Sequence, residues 1–240
     1  LKLDGEAYAG LRRGGLDGKL TWDLYDTCVR MLPRGKAAGP DGVPNEVLKA
    51  MPERFHRALH GFMVQCWRDR RVPDRWKESH TVLLYKKGDP HVVANYRPIA
   101  LAMTTYKLYT SMLCTVLTDH CEALEVLQEG QEGFRRDRST SRQLRVLLGA
   151  LEDSKLLKRD IAVLYVDFVN AFGSVDHVRL FDTLRLVGVP DDMVEVIRDL
   201  YTGSCTRFMT PHGLTGKVEF QGRGTIQGDT LSPLVFILCI

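Results

Sequence analysis

The chain has 240 residues, of which 44% are hydrophobic and 26% are charged, and its formal net charge is +3. This balance is typical of a globular protein, and the sequence contains no internal repeat or low-complexity segment. No stretch approaches the roughly 20 apolar residues that a membrane span requires, so we expect no membrane partner.

The charge is distributed unevenly along the chain. Residues 1–160 carry 27 Lys and Arg against 21 Asp and Glu, whereas residues 161–240 carry 6 against 9. A basic part joined to an acidic part suits a protein that holds a polyanion on one and metal ions on the other.

The apolar pattern of the first 160 residues predicts mostly helices around one β-hairpin. A loop rich in Gly and Pro, residues 33–44, separates the first helix from the second. In the first hairpin strand, residues 82–84 form an apolar run that we expect to be buried. The predicted elements are a helix within 18–32, a helix over 45–70 interrupted near Pro52, strands over 79–86 and 96–101, and helices over 104–124 and 139–157.

The remaining residues centre on one short, apolar, β-branched segment, residues 161–167, which predicts a buried strand that ends on Asp167. Helices over 175–187 and 191–201, a hairpin formed by 205–210 and 217–221, and a helix from near Thr230 follow. This order of elements indicates an α+β protein.

Asp167 is the central candidate for chemistry. A carboxylate at the end of a buried strand needs a partner, and Mg²⁺, which takes carboxylate and phosphate oxygens, is a common one. The alternative is an Asp that caps the following helix, and the strand taken alone favours that role.

Residues 164–177, LYVDFVNAFGSVDH, resemble motif A of the reverse transcriptases of non-LTR (LINE-type) retrotransposons. The resemblance implies that Asp167 is catalytic and binds the two Mg²⁺ ions of the complete enzyme. It also implies that Phe172 stacks under the incoming sugar and excludes a 2′-hydroxyl. Ala171 then offers its backbone N–H to the triphosphate, and Phe168 belongs to the same nucleotide site.

Residues 224–233, GTIQGDTLSP, resemble motif B of the same family. Gly228 allows the backbone to approach a nucleotide closely, and Gln227 supplies an amide that donates to its sugar or phosphate. The helix N-terminus that follows favours an anion. The alternative is an ordinary turn before a helix.

Residues 83–101, which contain LLYKKGD and NYRPIAL, resemble the fingers hairpin of the family. The resemblance implies that Arg97 and one of Lys86 or Lys87 grip the triphosphate and neutralise its charge. The alternative is a solvated lysine pair on a turn.

Two further segments, QEGFRRDRST at 131–140 and GKAAGPDG at 35–42, resemble family segments that lie along the template. Five arginines lie within 134–145 against a single Asp, and such charge suits a phosphate backbone. The implied template-binding residues are Lys36, Arg135, Arg136, Arg138, Ser139 and Thr140.

The resemblance covers residues 30–240 and implies a right-hand polymerase fold with helical fingers and an incomplete palm. We expect fingers with an N-terminal extension over 1–160 and a partial palm, with motifs A and B, over 161–240. The adjacent Asp pair of the family's motif C is expected downstream of residue 240, since Asp191 and Asp192 open a helix. The chain starts without Met and stops within an apolar run, so we expect cuts at both ends and little activity from this piece alone.

The implied function is that of an RNA-directed DNA polymerase, with an RNA template, a DNA primer and dNTP as partners. An intracellular, nuclear location follows from the resemblance alone. We expect Asp167, Phe172, Gln227 and Arg97 to converge on one cleft. The alternatives are a non-catalytic RNA-binding relative, a group II intron reverse transcriptase with maturase function, and an α+β domain with chance matches.

Overall fold

The computed structural model describes residues 15–168, 170–226 and 228–240, which form a mixed α+β arrangement. The helices are α1 (Trp22–Met31), α2 (Asn45–Lys49), α3 (Glu53–Asp69), α4 (Thr104–Ala123), α5 (Thr140–Leu156), α6 (His177–Leu186), α7 (Asp191–Tyr201) and α8 (Ser232–Cys239). The strands are β1 (Glu78–Tyr85), β2 (Tyr96–Ala102), β3 (Cys205–Thr210), β4 (Gly213–Leu214) and β5 (Val218–Glu219).

Proline and glycine set several of the helix ends. Pro52 separates α2 from α3, because a helix seldom continues through a proline. Gly188, with φ of +84°, follows the end of α6, and Pro190 precedes α7. Asp176 caps α6 by accepting hydrogen bonds from Val178 N and Arg179 N, and these bonds lower the pKa of its carboxyl.

One sheet connects segments that are far apart in the sequence. Its order is β2-β1-β3, and β4 and β5 both pair with β3 in antiparallel fashion. β1 runs antiparallel to β2, from Ser79 opposite Ala102 to Tyr85 opposite Tyr96. β1 also runs parallel to β3, with Glu78 opposite Cys205. The hairpin of the first 160 residues therefore shares a sheet with the hairpin near the C-terminus.

The hydrophobic core also contains residues from both sides of position 160. Leu108 and Met112 of α4 are fully buried in the same cluster as Val194 and Ile197 of α7. At the edge of this core, Lys77 Nζ lies 2.8 Å from Asp199 Oδ1, and the Lys77 side chain is buried. The division into fingers and palm at residue 160 stays a prediction. Among the described residues, no helix combines the length and apolar character that crossing a membrane requires.

Two expectations about strands are wrong. Residues 161–167 form no strand, and their side chains are exposed, that of Leu164 by 86%. A strand needs a neighbour for its backbone N–H and C=O groups, and none of the described strands pairs with this segment. In β1, the buried residues are Ser79 and Thr81, whereas Leu84 is exposed. The buried hydroxyl of Thr81 is satisfied within the sheet, because its Oγ1 lies 2.7 Å from Thr206 Oγ1 of the neighbouring β3.

Candidate nucleotide site

The turn over residues 170–176 and the loop over residues 222–226 are joined by hydrogen bonds. Thr225 N donates to Phe172 O at 2.9 Å, and Gly224 N donates to Val175 O at 2.8 Å. The buried His177 places its Nε2 2.8 Å from Gly224 O. The two segments that resemble motifs A and B therefore form one connected unit.

Phe172 is half-buried, and aromatic rings from two other segments contact it. The Phe236 ring of α8 lies 5.2 Å from it, centroid to centroid, with an interplanar angle of 37°. The Phe134 ring lies at 6.0 Å and 71°, an edge-to-face arrangement. Ala171, the residue before it, is partly buried and packs against the core.

Gly228 brings the motif B segment against the fingers hairpin. Its φ is +118°, a region that side chains other than glycine rarely adopt. A Cβ atom at this position would lie 2.6 Å from Ala100 O of β2. The sequence therefore needs glycine here so that two backbones can meet, three residues along β2 from Arg97.

A cavity of about 240 Å³ lies where these segments meet. Its lining includes Pro98 and Ala100 of β2 together with Phe172 and Thr225. Three of the five sequence segments singled out above thus contribute walls to one cavity. We take this cavity as the candidate nucleotide site.

Arg97 and Lys86 of the hairpin lie on the face of the sheet opposite to Pro98 and Ala100, which line the cavity. Arg97 is directly opposite Leu84, and Lys86 N continues the pairing by donating to Asn95 O at 2.9 Å. Because side chains alternate between faces, Lys86 shares a face with Arg97. Lys87 lies beyond this pairing, in a bend. Pro98 alternates with Arg97 along β2. All three basic side chains are exposed.

Asp167 is exposed and lies in a segment without regular structure. The Phe168 ring that follows it lies 6.0 Å from that of Phe236, which places the segment beside α8. Mg²⁺ takes one or two carboxylates plus phosphates, so Asp167 fits the role of one such ligand. Within residues 15–168, 170–226 and 228–240, however, no three His, Cys, Asp or Glu side chains are grouped as a metal site.

The arginines of residues 135–142 make ion pairs within the protein. The Arg135 side chain is 7% exposed, and its guanidinium donates to both carboxylate oxygens of Glu122, at 3.0 and 2.5 Å. These bonds lower the pKa of the Glu122 carboxyl. Arg138 pairs with the buried Glu132 at 3.2 Å. Arg136 differs from both, because its side chain is 62% exposed and only approaches Asp119, at 3.6 Å.

The other residues that the sequence assigned to the template are exposed. Ser139 and Thr140 lie at the start of α5, and Ser139 N donates to Glu132 Oε2 at 3.2 Å. Lys36 lies in a loop that is anchored by Gly39, whose Cβ would lie 2.5 Å from Ala102 O. Thr104 Oγ1 anchors the same loop by donating to Val43 O at 2.7 Å.

The structure thus brings together only part of the predicted site. Phe172 and Gly228 lie at or beside the cavity, Asp167 and Arg97 lie outside its lining, and Gln227 lies outside the described residues. The convergence of all four on one cleft stays a prediction.

Sequence reasoning missed Asp229, although it directly follows the predicted Gln227-Gly228 pair. Its carboxylate is buried, and Oδ1 accepts from Thr110 Oγ1 at 2.6 Å and from Thr230 N at 2.7 Å. Burial raises the pKa of this carboxyl, against the opposing effect of the Thr110 bond. It connects the motif B segment to α4, and no local pattern in the sequence marks Thr110 as its partner.

Comparison with known proteins identifies the family of this chain. The chain belongs to the family described as reverse transcriptase (RNA-dependent DNA polymerase), which matches residues 84–240.

Its relatives include proteins of retrotransposons, as the resemblance implies. The chain is 28% identical over 206 residues to the Pol polyprotein of the type-1 retrotransposable element R2 of Bradysia coprophila. It is 29% identical over 214 residues to the probable RNA-directed DNA polymerase from transposon BS of Drosophila melanogaster. It is 25% identical over 229 residues to the transposon TX1 149 kDa protein of Xenopus laevis. These alignments cover 85%, 87% and 95% of the chain but only 22%, 23% and 17% of the relatives.

Proposed function

We propose that this chain is the fingers and the first part of the palm of an RNA-directed DNA polymerase. In the full-length protein it would direct the transfer of a dNTP to a primer 3′-hydroxyl on an RNA template. The observation that carries the proposal is the cavity shared by Phe172, Thr225 and Ala100, since three segments of the family pattern meet there. An ordinary α+β domain would give no reason for these segments to meet.

Within this proposal, Phe172 lies under the sugar of the nucleotide and Gly228 lets the backbone approach it. The loop that carries Gly228 is fixed to β2 and to the turn of Phe172, so the floor of the site is held by backbone contacts. Such preorganised contacts do not need to form during the reaction. Gln227 and the backbone N–H of Ala171 are proposed as further nucleotide contacts on the basis of the family resemblance.

Asp167 is proposed as the metal ligand supplied by this chain. Bound Mg²⁺ would bring positive charge to the triphosphate and lower the pKa of the attacking hydroxyl. We further propose that another part of the full-length protein covers residues 161–167. The exposure of Leu164, Tyr165 and Val166, at 73% or more each, supports that proposal, because apolar surface of this size usually has a partner.

Lys86, and not Lys87, is proposed as the partner of Arg97 in holding the triphosphate. Lys86 pairs with Asn95 directly beyond the last register pair, which supports a position on the face of Arg97, whereas Lys87 lies past this pairing in a bend. β2 lies at the edge of the sheet. A nucleotide along this edge can therefore reach Arg97 on one face and the cavity on the other.

Primer extension by the full-length protein on an RNA template with a DNA primer tests this function. The wild type should incorporate dNTP. Lys86→Ala should raise the KM for dNTP by about ten- to a hundredfold, the range for losing one hydrogen bond to a charged group. Lys87→Ala is the matched control and should leave the KM almost unchanged.

Absence of extension by the wild type, with RNA binding intact, would favour the non-catalytic RNA-binding alternative. Equal effects of the two lysine variants would contradict the assignment of Lys86 alone.

A further inference from the structure

Phe134 has an unusual combination of backbone conformation and exposure. Its φ is +61°, in the left-handed region that bulky residues rarely adopt. Its side chain is nevertheless 58% exposed, so burial of the ring does not account for this conformation. Strained residues of this kind persist where their surroundings hold them, and they are concentrated at functional sites.

Ion pairs on both sides hold Phe134 in place. On one side, Arg135 donates to both carboxylate oxygens of Glu122. On the other, the buried Glu132 accepts from Arg138 and from Ser139 N. The ion pairs of Arg135 and Arg138 therefore fix the backbone on either side of one exposed aromatic residue.

The ring that these contacts hold in place meets Phe172 edge to face. Phe236 packs on Phe172 from α8 at 5.2 Å, and Phe134 packs on it from the surface segment at 6.0 Å. An edge-to-face pair favours a defined ring orientation. Without Phe134, Phe172 would keep only one of these two ring contacts and could turn away from the cavity more easily.

We propose that Phe134 is a positioning residue that holds Phe172 against the sugar and so helps to set discrimination against ribonucleotides. This inference rests on the proposed function of Phe172. Direct stacking of Phe134 on a nucleobase is a different role. It would affect deoxyribonucleotides and ribonucleotides alike.

The test is a double-mutant cycle in the full-length protein, with kcat/KM measured for a dNTP and the matching rNTP. Phe134→Ala should raise the rNTP-to-dNTP ratio by about two- to tenfold, the range that one aromatic pair is worth. The same change in a Phe172→Val background should have no further effect on the ratio, because the residue acts through Phe172. Phe134→Tyr keeps the ring edge and should keep the wild-type ratio.

Phe62→Ala is the matched control. Phe62 is 45% exposed and also makes an edge-to-face contact, with Trp76 at 5.9 Å, but it lies outside the candidate site. Its loss should leave the ratio unchanged. A melting curve is recorded for every variant, and Phe134→Leu, which keeps much of the volume but not the ring, replaces any Phe134→Ala protein that does not fold.

Two outcomes would overturn the inference in distinguishable ways. If Phe172→Val relaxes discrimination but the Phe134 variants do not, Phe134 has no positioning role and the proposed function stands. If Phe172→Val itself leaves the ratio unchanged in a folded enzyme, the assignment of Phe172 fails, and this inference fails with it.

Discussion

Arg135 and Arg136 are neighbours in the sequence, yet the structure predicts opposite consequences for their replacement by Ala. Arg135 is 7% exposed and makes a two-bond contact with Glu122. Each hydrogen bond to a charged group is worth ~1.5–3 kcal/mol when buried. Because the Glu122 side chain is 40% exposed, water recovers part of that value, and we expect Arg135→Ala to lower the free energy of unfolding by about 1–2 kcal/mol.

Arg136 should behave as a phosphate contact. Its side chain and that of Asp119 are each 62% exposed, so Arg136→Ala should change stability by less than about 0.5 kcal/mol. If it contacts one phosphate of single-stranded RNA, its loss should reduce the slope of log K against log salt by about 0.7.

The assay combines thermal melting of each variant with fluorescence anisotropy of a labelled single-stranded RNA over a series of salt concentrations. Arg135→Ala should melt earlier and keep the salt slope, whereas Arg136→Ala should melt normally and lose about one contact. A normal melting temperature with a reduced slope for Arg135→Ala would refute the reasoning. It would show that this guanidinium is free to bind RNA.

Two further predictions concern the motif B segment. Gly228→Ala should destabilise the chain by ~2 kcal/mol or more in urea unfolding, because φ of +118° is strained for Ala and the new Cβ meets Ala100 O. Gly216→Ala is the control and should be almost neutral, because no atom lies near its Cβ. Similar midpoints for both would contradict the close contact. Burial raises the pKa of the Asp229 carboxyl in the folded state. Between the pKa of the unfolded chain and this raised value, the folded state therefore binds more protons than the unfolded state. The free energy of unfolding of the wild type should fall as pH rises through this interval. Asp229→Asn should remove this part of the pH dependence. If the difference in unfolding free energy between variant and wild type is the same at every pH, Asp229 does not cause the dependence.

Most of the secondary structure could be predicted from the sequence because its signals are local. The boundaries of α7 follow from Pro190 and the apolar period after it, and α4 from a long helical pattern. The strand predicted for residues 161–167 is absent for a physical reason. Apolar, β-branched composition favours a strand only when a neighbouring strand is present to complete its hydrogen bonds.

The candidate site could be predicted only in part, because its geometry depends on contacts between distant residues. Sequence reasoning identified Gly228 as a point of close backbone approach. It did not identify the backbone that Gly228 meets, because Ala100 is 128 positions away. It assigned the arginines after Phe134 to a phosphate backbone because residues 134–145 contain a single acidic side chain. Their partners Glu122 and Glu132 lie outside that range. The pairing of Lys86 with Asn95, next to the register of β1 and β2, has no local signal in the sequence.

The role of Asp167 is the most direct test of the account. Primer extension on an RNA template should be measured for the full-length wild type, for Asp167→Asn and for Asp160→Asn, which changes another exposed aspartate seven residues earlier. Asp167→Asn should lower dNTP incorporation by about a hundredfold or more, the range for losing a group that stabilises transition-state charge, without weakening RNA binding. Asp160→Asn should behave as wild type. Wild-type incorporation by a folded Asp167→Asn protein would contradict the central claim that this chain supplies a metal-binding carboxylate to a polymerase site.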